Sequence, residues 1–286
     1  MTIFDDQQDI HDIRQAIALL EAPSITIQLA NLVGGPIEWS LSKLPKWVKS
    51  KIQDVVHAAL HKSVDAALYT LDDDPKRASS PKTHKLAAAT SGAVSGFFGA
   101  AGLIVELPVS TTIMMRSVAD IARSEGFSLT DFSVKAACVE VFALGGRSKN
   151  DDAADSAYYA SRAVLADITK HTTRELIDIA SKKGAEKTSA RITSSQAGRT
   201  LARLIDAVAT RLGITITEKM AAQIVPIVGA ASGAAINTLF INHYQNMAKG
   251  HFIIKRLEQK YGEEEIKSVY VRLKVDARPP DAERHA

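Results

Sequence analysis

Apolar residues recur at spacings of three and four through most of this chain. Between Val48 and Leu71 they fall at Ile52, Val55, Val56, Ala59, Leu60, Ala67, Leu68 and Leu71, the stripe of an amphipathic helix. Asp151–Lys183 carries Tyr158, Leu165, Ile168 and Ile177 among frequent polar residues. Thr130-Asp131 reads as the cap of a helix running to Leu144, and Thr217 as the cap of one starting at Glu218. Turn-rich breaks fall at Asp72–Pro81 and Gly145–Asp152. Only Ser24–Val33 and Val269–Val275 hold enough β-branched residues to suggest strand. The pattern predicts an all-α chain, a single-domain bundle of about ten helices around two glycine-rich central helices.

Those two central segments stand apart. Leu86–Val105 and Met220–Asn242 carry no Asp, Glu, Lys or Arg over 20 and 23 residues. Each contains Gly-Ala-x-Ser-Gly, with Gly92 and Gly96 in the first and Gly229 and Gly233 in the second. Glycines four apart open a groove for a second helix backbone. A charged helix follows each and stops at Gly126 or Gly262, at offsets of 137 and 136 residues, a spacing compatible with an old internal duplication but resting on two short matches. Both segments reach membrane-spanning length. Their Ala, Gly, Ser and Thr insert poorly, however, and Gln223, Pro226 and Asn237 interrupt the second. Two readings fit: buried central helices of a soluble bundle, or a membrane-inserting hairpin.

Charge adds a division along the chain. Residues 1–40 hold six acids against Arg14 and form an acidic helical segment. Residues 41–275 form the main helical domain, and 276–286 read as a fraying, disordered tail. The start of the main domain is basic. Trp39 and Trp47, the chain's two tryptophans, lie among Lys43, Lys46, Lys49 and Lys51. That composition suits an anionic lipid surface, or else two core tryptophans with solvated lysines. A net charge of +3 gives no argument for nucleic acid. One cysteine, Cys138, excludes an intramolecular disulfide and a cysteine-based zinc site. The acidic start lacks the pattern of a secretory signal, so a cytoplasmic location is expected.

Chemistry-bearing motifs are sparse. His57-x-x-x-His61 has the imidazole spacing of zinc proteases, but Ala58 stands where the general base would be. Asp65 extends the same face, which also carries Lys49, Gln53, Asp54 and Lys62 and reads as solvated, so no metal and no cofactor is expected. Ser95 and Ser232 lack the G-x-S-x-G context. Glu106 follows a long apolar run and precedes Pro108, which suits the first turn of a new helix. Thr112, Arg116 and Asp120 then recur every four residues as a polar stripe. With Asn237 as a facing partner, these residues are the candidate polar cluster: a capping carboxylate and a structural Arg116–Asp120 pair, or a binding site. Glu106, Arg116 and Asn237 are expected to lie close together.

The order of several segments resembles the EcsC family of bacterial proteins. They are LPKWVKSKI at 44–52, ELPVSTTIMMRSVADIARSEG at 106–126, YYASR at 158–162, IVPIVGAASGAAINTLF at 224–240 and HFIIKRLEQKYG at 251–262. The resemblance spans about Lys43 to Tyr270. It implies association with an ABC transporter system and with protein secretion or processing, but no stated activity. The acidic first forty residues and the polar stretch around Lys182–Ser195 depart from it. The expectation is a non-enzymatic accessory protein, peripheral at the cytoplasmic face of the membrane, with a membrane-transport protein as partner. The rivals are a lipid- or peptide-directed enzyme using the cluster around Glu106, and a carrier for an apolar ligand.

Overall fold

The computed structural model describes residues 2–68 apart from 36, 43 and 45, then 82–84, 86, 99–145, 156–166, 186–224 and 229–276. Among these residues there is helix and no strand. The α-helices are α1 (Gln7–Leu20), α2 (Ile25–Val33), α3 (Ile37–Ser42), α4 (Lys46–Leu68), α5 (Gly99–Ser124), α6 (Phe132–Glu140), α7 (157–166), α8 (Glu186–Ile224), α9 (Gly229–Tyr261) and α10 (Glu263–Asp276).

The two β-branched segments are helical, as α2 and the end of α10. Ser24 caps α2, its hydroxyl accepting from the Ile27 amide. Ile25 and Leu29, one turn apart, are fully buried, so packing of a helical stripe outweighs local propensity. Thr217 does not cap a helix: it lies inside α8, and its hydroxyl bonds back to the Gly213 carbonyl at 2.6 Å. Pro108 does not begin one either, because α5 runs through it. Proline in a helix interior forfeits one hydrogen bond. Here Leu107, Met114, Met115, Val118, Ala119, Ile121 and Ala122 are packed in the core.

Four helices, α4, α5, α8 and α9, form the centre. α4 packs along both α5 and α8, and α5 packs on α9. Val56, Ala59, Leu60, Met115, Val118, Leu204, Val208, Leu212, Phe240, Tyr244 and Phe252 are buried between them. At the α5–α9 crossing the Gln245 side-chain amide donates to the Ser117 hydroxyl at 2.8 Å. Both α5 and α9 stop just before a left-handed glycine, Gly126 at φ +91° and Gly262 at φ +96°, a conformation that costs other residues about 1–2 kcal/mol.

The acidic start is docked onto the bundle. Asp6 caps α1, accepting from the Gln8 and Asp9 amides. Ile10, Ile13, Ala16, Ile17 and Leu20 then face inward and α1 packs along α9. The acids meet basic residues of α9: Asp12 lies 2.7 Å from Arg256, and Asp6 and Asp9 lie 3.0 and 2.5 Å from Lys260. The Tyr261 hydroxyl donates to Asp9 at 2.7 Å.

The central glycines are placed only in part. Gly92 and Gly96 lie outside the described residues, as do 277–286. Gly229 and Gly233 fall in the first turns of α9. Among the described residues, close helix approaches occur at Gly213, against Gln53 of α4, and at Gly250, against Leu20 of α1. Among the described residues no helix is long and apolar enough to cross a membrane.

Candidate functional site

Glu106 is buried in α5 at 7% exposure. An isolated carboxylate would pay several kcal/mol for that position, and two side chains from different helices answer it. The Asn237 amide of α9 donates to Oε1 at 2.8 Å. Lys219 of α8, only 2% exposed, places its ammonium 3.5 Å from Oε2. The same ammonium lies 5.3 Å from the centre of the Phe240 ring, one turn beyond Asn237. The adjacent Glu218 accepts from the Thr26 hydroxyl at 2.7 Å. Successive residues of α8 thus tie this helix to α2 and to α5 with α9.

The remaining stripe of α5 does not join this cluster. Arg116 is half-buried and lies ten residues beyond Glu106, about 15 Å along the helix axis. Thr112 bonds back to the Pro108 carbonyl at 2.8 Å. Asp120 pairs with Arg123 at 2.6 Å rather than with Arg116, and His84 approaches its other oxygen at 3.7 Å. A four-residue spacing puts side chains on one face, but Thr112 and Asp120 have settled on local partners. Lys219 went unnoticed in the sequence. Its signal was an ionic pair, Glu218-Lys219, set immediately before a charge-free stretch.

A second polar region surrounds α7. Arg162 forks onto Glu258, with Nη1 to Oε1 at 2.5 Å and Nη2 to Oε2 at 3.0 Å. The Tyr158 ring stacks on Tyr270 at 5.7 Å, and its hydroxyl lies 3.0 Å from His251 Nδ1. His251 Nε2 faces Glu140 at 3.8 Å. Burial holds the His251 imidazole well below its ordinary pKa and pushes the Glu140 carboxyl up. Burial also raises the Cys138 thiol, with the Glu140 charge adding to the rise, which makes it inert as a nucleophile.

Beside Tyr158 is a cavity of about 170 Å³, lined among others by Glu21, Ser24, Gly145, Ser161 and Met247. Glu21 accepts from Ser156 at 2.8 Å and Tyr270 at 2.9 Å, and Lys274 lies 2.9 Å from its other oxygen. Each nearby imidazole spends one ring nitrogen, His251 Nδ1 on the Tyr158 hydroxyl and His243 on the Leu144 backbone, and Nε2 of both is buried without a hydrogen-bond partner among the described residues. Neither Nε2 is therefore hydrogen-bonded to Ser161, the contact that a nucleophile–base pair needs.

Of the membrane-interface candidates, Lys46 and Lys51 are exposed at the start of α4. Lys43 and the side chains of Trp39, Trp47 and Lys49 lie outside the described residues. Three large aliphatic side chains are exposed in the same part of the molecule: Ile27 at 52% and Leu32 at 47% on α2, and Ile214 at 56% on α8. Ile27 adjoins Thr26 and Ile214 lies one turn before Glu218, so the buried Thr26–Glu218 bond holds the two aliphatics on neighbouring helices. Gln53 of α4 abuts Gly213, beside Ile214, which brings the lysine-bearing turn of α4 to the same region.

Residues 37–257 match the EcsC protein family. No curated protein matches the chain, and no solved structure does.

Proposed function

This chain belongs to the EcsC protein family, and from that premise we propose that it is a non-enzymatic interaction protein that docks on anionic membrane surface, serving as accessory to a membrane-transport protein at the cytoplasmic face. The carrying observation is the exposure of Ile27, Leu32 and Ile214 near exposed Lys46 and Lys51. Aliphatic side chains reach below the headgroups while lysines meet the lipid charge, each lysine contributing about 1 kcal/mol at the surface. The alternatives gain less support. Glu106 is answered by Lys219 and Asn237, as a structural lock would be, and Ser161 is not hydrogen-bonded to Nε2 of His243 or His251. The cavity beside Tyr158 is smaller than the roughly 300–1,000 Å³ usual for ligand pockets.

Vesicle co-sedimentation tests the proposal. The full chain is expected to bind vesicles containing phosphatidylserine and to leave pure phosphatidylcholine vesicles at low salt. Lys46→Glu with Lys51→Glu should abolish the preference for charge, and Ile27→Asp with Ile214→Asp should weaken binding to the phosphatidylserine vesicles. Equal binding to the two vesicle types, or no effect of the four substitutions, would overturn it.

A further inference from the structure

His57 and His61 lie one turn apart on α4, and the structure supplies them with a third donor that their local sequence does not contain. Asp206 of α8 reaches across the helix interface, its Oδ1 in contact with His57 Nε2 and 3.6 Å from His61 Nε2. The two imidazole rings are 4.6 Å apart and tilted by 51°, so that both nitrogens converge on one side. All three donor atoms lie within 4.8 Å of one another. Asp65, the sequence candidate for this position, has its side chain outside the described residues.

We propose that His57, His61 and Asp206 form a binding site for a divalent transition-metal ion of the zinc class, clamping α4 to α8. Two imidazole nitrogens and one carboxylate oxygen are a borderline donor set, suited to zinc and its neighbours and ill suited to magnesium or calcium, which take oxygen ligands. Tetrahedral coordination at about 2.0–2.1 Å separates its donors by about 3.3 Å. The His61–Asp206 separation is already near that value. The His57–Asp206 contact opens slightly and the imidazoles draw together, movements available to side chains that are 47%, 37% and 56% exposed. The backbones beneath are fixed. Val56, Ala59 and Leu60 of α4 are buried in one cluster with Ile205, Val208 and Ala209 of α8. Gln53 abuts Gly213 further along the same antiparallel crossing. Water completes the coordination on the solvent side.

Isothermal titration of the full chain with zinc chloride, with magnesium chloride as control, tests the site. Expected is one zinc ion per chain, a rise in thermal midpoint on adding zinc, and no response to magnesium. Loss of a supporting group alone weakens metal sites by about 10–100-fold, so His61→Ala and Asp206→Ala should each weaken zinc binding at least about tenfold and cancel the thermal shift. His57 and Asp206 are solvent-exposed and His61 is half-buried, and the midpoints without metal report whether the variants fold. Should an alanine variant misfold, His61→Gln and Asp206→Asn are read instead, with the same loss expected. Absence of stoichiometric zinc binding, equal binding by folded variants, or equal binding of magnesium would each overturn the proposal.

Discussion

Asn237 donates a 2.8 Å hydrogen bond to Glu106, a carboxylate 131 residues earlier in the chain. The bond joins α9 to α5 at the point where α8 delivers Lys219. Three helices therefore share one buried polar contact, and its members depend on each other.

Removing the cation tests that dependence. Lys219→Met should destabilise the protein by about 3–5 kcal/mol, the cost of breaking a buried pair from one side. Adding Glu106→Gln should recover a large part of the loss, because neither charge then remains. Urea unfolding of both single variants and the double variant measures the coupling. Additive effects would show that the two side chains act independently.

Glu106, Asn237 and Lys219 also show what the sequence could and could not reveal. Polar groups inside apolar runs announce burial, which is why Glu106 and Asn237 stood out. With Thr217 read as a cap, Lys219 falls in the first turn of a helix, where a lysine gives no sign of burial. A threonine before a glutamate has the form of a cap, yet the same hydroxyl can bond back one turn, as it does to Gly213. Pro108 misled in the same way, since its local cost is outweighed by packing on both sides of it. Asp206 gave no local signal at all. It lies 149 residues from His57, and only the antiparallel crossing of α4 and α8 brings them together. Helix existence followed from periodicity, while helix ends and long-range partners followed from tertiary packing.

The Arg162–Glu258 fork predicts that a conservative exchange is not conservative. Arg162→Lys keeps the charge but cannot form two parallel bonds, and it leaves the faces of Tyr158 and Tyr159 that the guanidinium approaches at 5.4 and 5.5 Å. A loss of about 1–3 kcal/mol is expected in chemical denaturation. A change within a few tenths would place the fork among pairs of no energetic weight.

His243 predicts a pH dependence. Burial holds its imidazole down to about 4, from an ordinary value of 6.5, against an opposing hydrogen bond with the Leu144 backbone. Above pH 6.5 the ring is neutral in folded and unfolded chains alike. Below it the unfolded chain takes the proton first, so stability falls as the pH drops from 6.5 to about 4. The loss amounts to about 3 kcal/mol at the lower end. Unfolding free energies of the protein and of His243→Leu, followed from pH 7 to 4.5, should diverge by one proton's slope. Parallel curves would show that this imidazole is not held neutral.

Gly250 sits where α1 crosses α9. A methyl group there would lie 2.6 Å from Leu20 Cγ and 3.2 Å from the Ala16 carbonyl oxygen. Helix propensity alone favours Gly250→Ala by about 1 kcal/mol, whereas crowding costs about 1–3 kcal/mol. Net destabilisation is expected, with partial relief when Leu20→Ala is added. Thermal unfolding of the cycle decides the sign.

The ion pairs between α1 and α9 have a consequence for the order in which the molecule is made. Asp12 meets Arg256 across 244 residues of chain. A ribosome working at about 5–20 residues per second needs about 12–50 s to cover that distance. Through that interval the face carrying Ile10, Ile13, Ile17 and Leu20 has emerged but its berth on α9 does not yet exist. Asp5, Asp6, Asp9 and Asp12 keep the nascent helix in water while it waits. Helix α1 is thus held back from its place until α9, more than two hundred residues later, has followed it out of the ribosome.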